Sequence, residues 1–417
     1  MNYKIDYKPC FNSKIYPSSL QQGEFADLTN EATKICHSFI GQIEQGHWPA
    51  FGAAEQYDDI AQITEVADYL KDFENIVIFG TGGSSLCAEA LVKFKHSKLF
   101  RHQTNIIFVS NVDPQTILEF YRILELPKTV CLVVSKSGGT IETISQMGVA
   151  IEQFSKQGLD ISKHFVAISE DTDNPLRQIA AKYNIKTYEH NPNIGGRFSI
   201  LSNVGLVPAL VAGVDISAVR RGAASILQNP NEAIKGAAMH VGFMRRGIKI
   251  NVLMPYMDSL EYFTSWHKQV WAESLGKNGT GSIPIRSIGT TDQHSQLQLY
   301  LDGPKDKLFT IIALDRAGQG NDISTEAVAD TKLDYLAGRK IGDIITAEQD
   351  AIIEAIKQRN LPLREIRLDK LDDTVLGQLV MHFMLETVIT AGLLGIDPFD
   401  QPAVELGKDL TRQILGV

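Results

Sequence analysis

Six short segments of this chain carry side chains able to hold an anion or move a proton. Gly80-Thr81-Gly82-Gly83-Ser84-Ser85 follows the apolar run Asn75–Phe79, and Ser135-Lys136-Ser137-Gly138-Gly139-Thr140 follows Thr129–Val134. Glycines let a backbone approach a ligand closely, and free N–H groups at a helix start attract anions. Two such turns on neighbouring strands can grip one phosphate from two sides, so a phosphorylated small molecule is the leading ligand. In the second turn Ser135, Ser137 and Thr140 offer hydroxyls and Lys136 a charge. A capped helix start, with Ser137 as N-cap, is compatible with that use. The first turn lacks the Gly-Lys-[Ser/Thr] ending of a nucleotide P-loop, and Ser85 stands where a dinucleotide fingerprint needs its third glycine. An ordinary strand-to-helix turn stays open there.

The other four segments suit proton chemistry. In Asn193-Ile194-Gly195-Gly196-Arg197-Phe198-Ser199 two glycines precede an arginine, which suits a guanidinium presented to a developing oxyanion; a surface arginine in a loop is the equal alternative. Gln269 and Glu273 share one helix face at i, i+4, near Gly276. Flanked by Trp271 and Leu275, Glu273 could be desolvated into a general base, although an exposed helical glutamate is the commoner situation. His294, after a strand candidate, is an acid/base candidate, against the alternative of a loop histidine with no role. Gln401 stands at a helix start and could donate to a phosphate, and Lys408 stands two turns further in; both are also consistent with a plain helix surface. His37, His47, His96, His102, His164, His190, His240 and His382 receive no role, and His267 a structural one.

The elements that must position these residues follow from patterning. Apolar runs at Asn75–Phe79, Asn105–Ser110, Val130–Ser135, His164–Ser169 and Lys186–Tyr188 alternate with helix-length connections, the rhythm of a doubly wound, mostly parallel sheet. A second series occupies 248–254, Ser282–Ile288, Leu308–Leu314 and Leu363–Leu368. The expected fold is α/β, with two parallel-sheet domains: a helical N-terminal segment 1–70, domains over 71–215 and 216–372, and C-terminal helices over 373–417. With 417 residues, 44% hydrophobic and 21% charged, the chain is an ordinary globular protein large enough for several cores. No apolar run is expected to span a membrane and the first residues lack a signal-peptide core. The four cysteines lack paired spacing and the ten histidines lack metal-ligand spacing, so reduced thiols, a cytoplasmic location and no metal are expected. A net charge of −9 argues against nucleic acid and requires a local cation cluster for an anionic substrate.

Together these segments closely resemble the phosphoglucose isomerase family. Asn193–Ser199 with Ile200-Leu201-Ser202 is similar to its glycine-glycine-arginine signature. Gly392-Leu393-Leu394 through Phe399-Asp400-Gln401 and Val404-Glu405-Leu406-Gly407-Lys408 is similar to its C-terminal signature. Glu273-Ser274-Leu275-Gly276-Lys277, Gln293-His294 and Gly80–Ser85 match its remaining site segments in the same order. The resemblance runs from about residue 75 to the C-terminus. It implies sugar-isomerase-type (SIS) domains, a homodimer, no cofactor, and interconversion of glucose 6-phosphate and fructose 6-phosphate through a cis-enediol. It implies that Ser84, Ser135, Lys136, Ser137, Thr140 and Gln401 hold the phosphate, and that Gly83, Gly196 and Gln269 line the site. Glu273 is then the base, Arg197 the cation for the enediolate, and His294 (from the neighbouring subunit) and Lys408 the groups that assist ring opening. The chain departs from the family in Ser137-Gly138-Gly139-Thr140, where many members carry Thr-Phe-Thr-Thr or Ser-Gly-Thr-Thr, and in Pro402. It is also much shorter than the animal enzymes. A non-catalytic sugar-phosphate sensor would keep the hydroxyl-rich loops without needing Glu273, Arg197 and His294 together. A mannose 6-phosphate isomerase remains open, and a nicotinamide enzyme fails on the glycine fingerprint.

Overall fold

The computed structural model describes residues 1–15, 19–95 and 104–416; His96 and His102 lie outside them. Its strands, in chain order, are β1 (Tyr3–Asp6), β2 (Asn75–Phe79), β3 (Asn105–Val109), β4 (Thr129–Val134), β5 (Phe165–Ser169), β6 (Lys186–Glu189), β7 (Ile250–Pro255), β8 (Ile283–Arg286), β9 (Lys307–Leu314) and β10 (Leu363–Leu368). They form two five-stranded sheets, ordered β3-β2-β4-β5-β6 and β1-β10-β9-β7-β8. The first is parallel throughout. The second is parallel except for β1, which runs antiparallel to β10 at its edge. Every residue of β4 is buried, as its unbroken apolar run requires of a strand covered on both faces. Each sheet reverses its strand order once, between β2 and β4 and between β7 and β9. At such a reversal the two following loops part to opposite faces and leave a crevice outside the carboxyl ends. The two hydroxyl-rich loops leave β2 and β4.

The helix Asp373–Leu394 runs through the core. It is long and apolar enough to cross a membrane by length and composition, contrary to the expectation from the sequence, and 94% of its apolar window is buried. Glycines let it touch the helix Ile216–Gln228 backbone to backbone: a Cβ on Gly377 would stand 1.9 Å from the Val219 carbonyl, and one on Gly222 2.0 Å from that of Thr374. Asp372 caps its first turn through the Val375 N–H at 2.9 Å, and Gly395 ends it at φ +68°. Buried on this helix, Glu386 faces Arg364 at 3.1 Å, His382 at 3.2 Å and His240 at 3.1 Å. Burial pushes the Glu386 carboxyl up, but Arg364, His240 and His382 together hold it well below the usual carboxylate range.

The first seventy residues, expected to be helical, also contribute β1. Tyr3 packs edge-on against His382 and lies 3.0 Å from its Nδ1. The helix Gln22–Glu44 continues into Trp48, whose indole stacks on Phe399 with ring centroids 4.1 Å apart. The N-terminal segment is thus built into the core, and Phe399 ties the turn after the long helix to it.

Candidate active site

Three backbone segments meet at the carboxyl end of the first sheet because glycines allow it. After β2 the chain turns through Gly82 at φ +57° into the helix Gly83–Lys95. A Cβ on Gly83 would stand 2.1 Å from the Gly196 carbonyl, and one on Gly82 2.9 Å from Gln269 Nε2. This pins the turn between the 3-10 helix Gly196–Leu201 and the helix Glu261–Leu275. Gly83, Gly196 and Gln269 therefore share one small volume.

Arg197 sits at its centre, only 4% exposed. Its Nε donates to Ser274 Oγ at 2.9 Å. One terminal nitrogen donates to Glu273 Oε2 at 3.3 Å and to Gln401 Oε1 at 2.7 Å. The other donates to the carbonyls of Pro398 and, at 3.1 Å, Asp400. Trp266 Nε1 holds the Arg197 carbonyl at 3.0 Å, so one helix supplies the carboxylate, the hydroxyl and the indole that fix this arginine. Burial lowers the guanidinium's pKa, opposed by Glu273 and Asp400. Glu273 Oε1 accepts from Gln269 Nε2 at 2.9 Å. Beneath lies Cys87, whose thiol burial pushes up to about 12, away from any role as a nucleophile at neutral pH. All four cysteines are buried and free.

The second hydroxyl loop forms its own cradle. Ser135 Oγ and Thr140 Oγ1 are 3.0 Å apart, and Ser137 Oγ accepts from the Gly139 N–H at 3.4 Å. Gly138 is at φ +64°, with a Cβ position only 1.8 Å from Asn174 Oδ1, so no other residue fits there. Lys136 Nζ donates to the Pro192 carbonyl at 2.7 Å and lies 3.5 Å from Glu170, tying this loop to the one that carries Arg197. Ser84 is half-buried in the first turn of its helix. Ser85, beside it, is buried with its hydroxyl unpartnered.

Two expected site residues lie apart within the chain. Lys408, on the exposed helix Glu405–Ile414, pairs with Glu405 at 2.7 Å. His294, exposed just after the short helix Gly289–Gln293, has no hydrogen bond or ion pair joining it to Arg197 or Glu273 among the described residues. Three contributors were not singled out from the sequence: Ser274, Lys277 and the Phe399 ring. Ser274 and Lys277 flank Glu273 in a quoted segment, so their neighbourhood was visible and their orientation was not. A cavity of about 550 Å³ opens on this cluster, lined by Glu273, Lys277, Asn278, Asp397, Asp400 and Gln401 among others. That volume suits a small ligand. A cavity of similar size, about 580 Å³, lies at the opposite end of the first sheet and holds none of these groups.

The chain is similar to known proteins over most of its length. The family model described as phosphoglucose isomerase matches residues 64–416. A Methanococcus maripaludis protein named "Probable glucose-6-phosphate isomerase" is 35% identical over 406 residues, covering 95% of this chain and 90% of that one. A hypothetical protein of Thermus thermophilus superposes with a TM-score of 0.85 at 27% identity over the whole of both chains. A glucose-6-phosphate isomerase of Chlamydia trachomatis shares the fold with a TM-score of 0.81 at 22% identity, over all of this chain and 88% of that one.

Proposed function

Because the chain belongs to the phosphoglucose isomerase family, we propose that it interconverts glucose 6-phosphate and fructose 6-phosphate, an aldose–ketose isomerisation. The observation that carries the reading is the buried Arg197 guanidinium on Glu273 Oε2, beside a cavity and at a strand-order reversal whose loops are rich in hydroxyls. A sugar C2 proton is too weakly acidic for a carboxylate unless the enediolate that forms meets a fixed cation. Glu273 takes that proton, the electron pair makes the C1–C2 double bond as the π pair of the C1 carbonyl moves onto O1, and Arg197 faces the oxygens of this cis-enediolate. The same carboxyl returns the proton to C1 while the hydroxyl proton passes from O2 to O1 and the C2 carbonyl forms. Ser84, Ser135, Lys136, Ser137, Thr140 and Gln401 hold the phosphate, whose binding energy orients C1 and C2 over Glu273.

Ring opening precedes this step and falls to Lys408 and to a histidine, His294 of the partner subunit. The helix that carries Lys408 supports the dimer: Leu406, Leu410 and Ile414 recur at i, i+4, i+8 and are exposed. A second copy covering that stripe would bury it, while Lys408, two residues from Leu406 and from Leu410, points away from that face. The two sheets serve as the cores of domains 71–215 and 216–372, and the cytoplasm is the compartment in which this sugar phosphate is turned over. The test is fructose 6-phosphate supplied without cofactor, with the product identified. Glucose 6-phosphate is expected; mannose 6-phosphate would reassign the epimer, and no aldose at all would leave a binding protein.

A further inference from the structure

A guanidinium has five N–H donors. In Arg197 all five are taken: by Ser274 Oγ, Glu273 Oε2, Gln401 Oε1 and the Pro398 and Asp400 carbonyls. No donor is left over for a substrate oxygen. Three of the five acceptors belong to one turn, 398–401. A second cation grips the same turn: Lys277, 10% exposed, pairs with the Asp400 carboxylate and donates to the Asp397 carbonyl. Lys277, Asp400 and Gln401 line the same cavity as Glu273. On the near side the turn is anchored by Phe399, which stacks on Trp48 and packs against Phe198. On the far side, 402–416 makes no buried contact.

We propose that residues 400–404 form a strap that hinges at Phe399, and that Lys277 and Asp400 are positioning residues that set how available Arg197 is to substrate. The Gln401 amide oxygen occupies the donor that a sugar oxygen takes over, so the strap must give way before the guanidinium can serve an enediolate. This rests on the reading of Arg197 as the enediolate's cation. Affinity for an enediolate is then reduced by the fraction of molecules with the strap closed.

Two variants of opposite charge test it, Asp400→Ala and Lys277→Met, with a five-carbon aldonate 5-phosphate as the planar anionic mimic. Both remove the same ion pair. Amide hydrogen exchange of residues 399–404 in the unliganded protein should accelerate at least about tenfold in both, and the association rate of the mimic should rise about three- to tenfold in both. Plain electrostatics would instead speed the mimic's arrival in Asp400→Ala and slow it in Lys277→Met. Rates moving in opposite directions, or unchanged exchange in either variant, would overturn the strap. The exchange measurement needs no ligand. A wild-type protein that fails to bind the mimic at millimolar concentration, with no isomerase activity, defeats the functional reading on its own terms.

Discussion

Glu273 divides its carboxylate between two donors, Gln269 on Oε1 and Arg197 on Oε2. That division fixes the plane of the carboxyl group, which is what a base shuttling a proton between adjacent carbons needs. Glu273→Gln keeps the shape and both neighbours but removes the basic electron pair. Turnover of fructose 6-phosphate in the coupled assay should become undetectable, while calorimetry finds the substrate bound within a few-fold of the parent. Arg197→Ala acts differently, since its interaction grows as charge develops on the sugar. The expected loss is about 10²–10³ in kcat, with a much smaller change in KM. A rise in KM at unchanged kcat would make it a ground-state binding residue only. Residual turnover in Glu273→Gln would remove Glu273 from the base role.

At the scale of elements, the site depends on where backbones touch. Gly83→Ala puts a methyl 2.1 Å from the Gly196 carbonyl, so the turn after β2 and the 3-10 helix carrying Arg197 must separate. A displacement of about 1 Å at the reacting groups is enough for a loss of roughly 10² in kcat/KM, accompanied by a lower melting temperature. Gly148→Ala, in the helix Ile141–Lys156 with nothing within 4 Å of the added Cβ, is the control that should keep full activity. Elements of this kind were largely legible beforehand. β2 and β10 fall on the expected residues, because apolar patterning is a local signal. β1 was missed: Tyr3–Asp6 is a strand because β10 offers an open edge, and that partner lies over 350 residues away. The grip of Lys277 on the 397–400 turn was invisible for the same reason, since it depends on two helix ends meeting rather than on any spacing. Arg197 and Glu273 were named singly; that they touch is information only the fold supplies.

For the whole molecule, acid sensitivity follows from the buried imidazoles. Burial holds the His267 pKa down at about 3, Glu386 opposing, against about 6.5 in an unfolded chain. Below pH 6.5 the unfolded state therefore binds a proton that the folded state does not, and stability falls with pH until about pH 3. At pH 5 this one group costs on the order of 2 kcal/mol. Urea midpoints measured from pH 7.5 to 5 should fall less steeply in His267→Leu than in the parent. Assembly has its own test. Equal amounts of inactive Glu273→Gln and inactive His294→Ala, refolded together, should recover roughly a quarter of parental activity if each site borrows its histidine from the other copy. No recovery would place His294 within its own subunit's site, and an active His294→Ala would put it outside the chemistry. The stacked Trp48–Phe399 pair carries one last consequence. During synthesis Arg197 leaves the ribosome some two hundred residues before the aromatic ring that docks beside it. A nascent or prematurely terminated polypeptide therefore holds Glu273 without the clasp around it. Fragments ending short of that ring should be chemically silent however well their first sheet has folded.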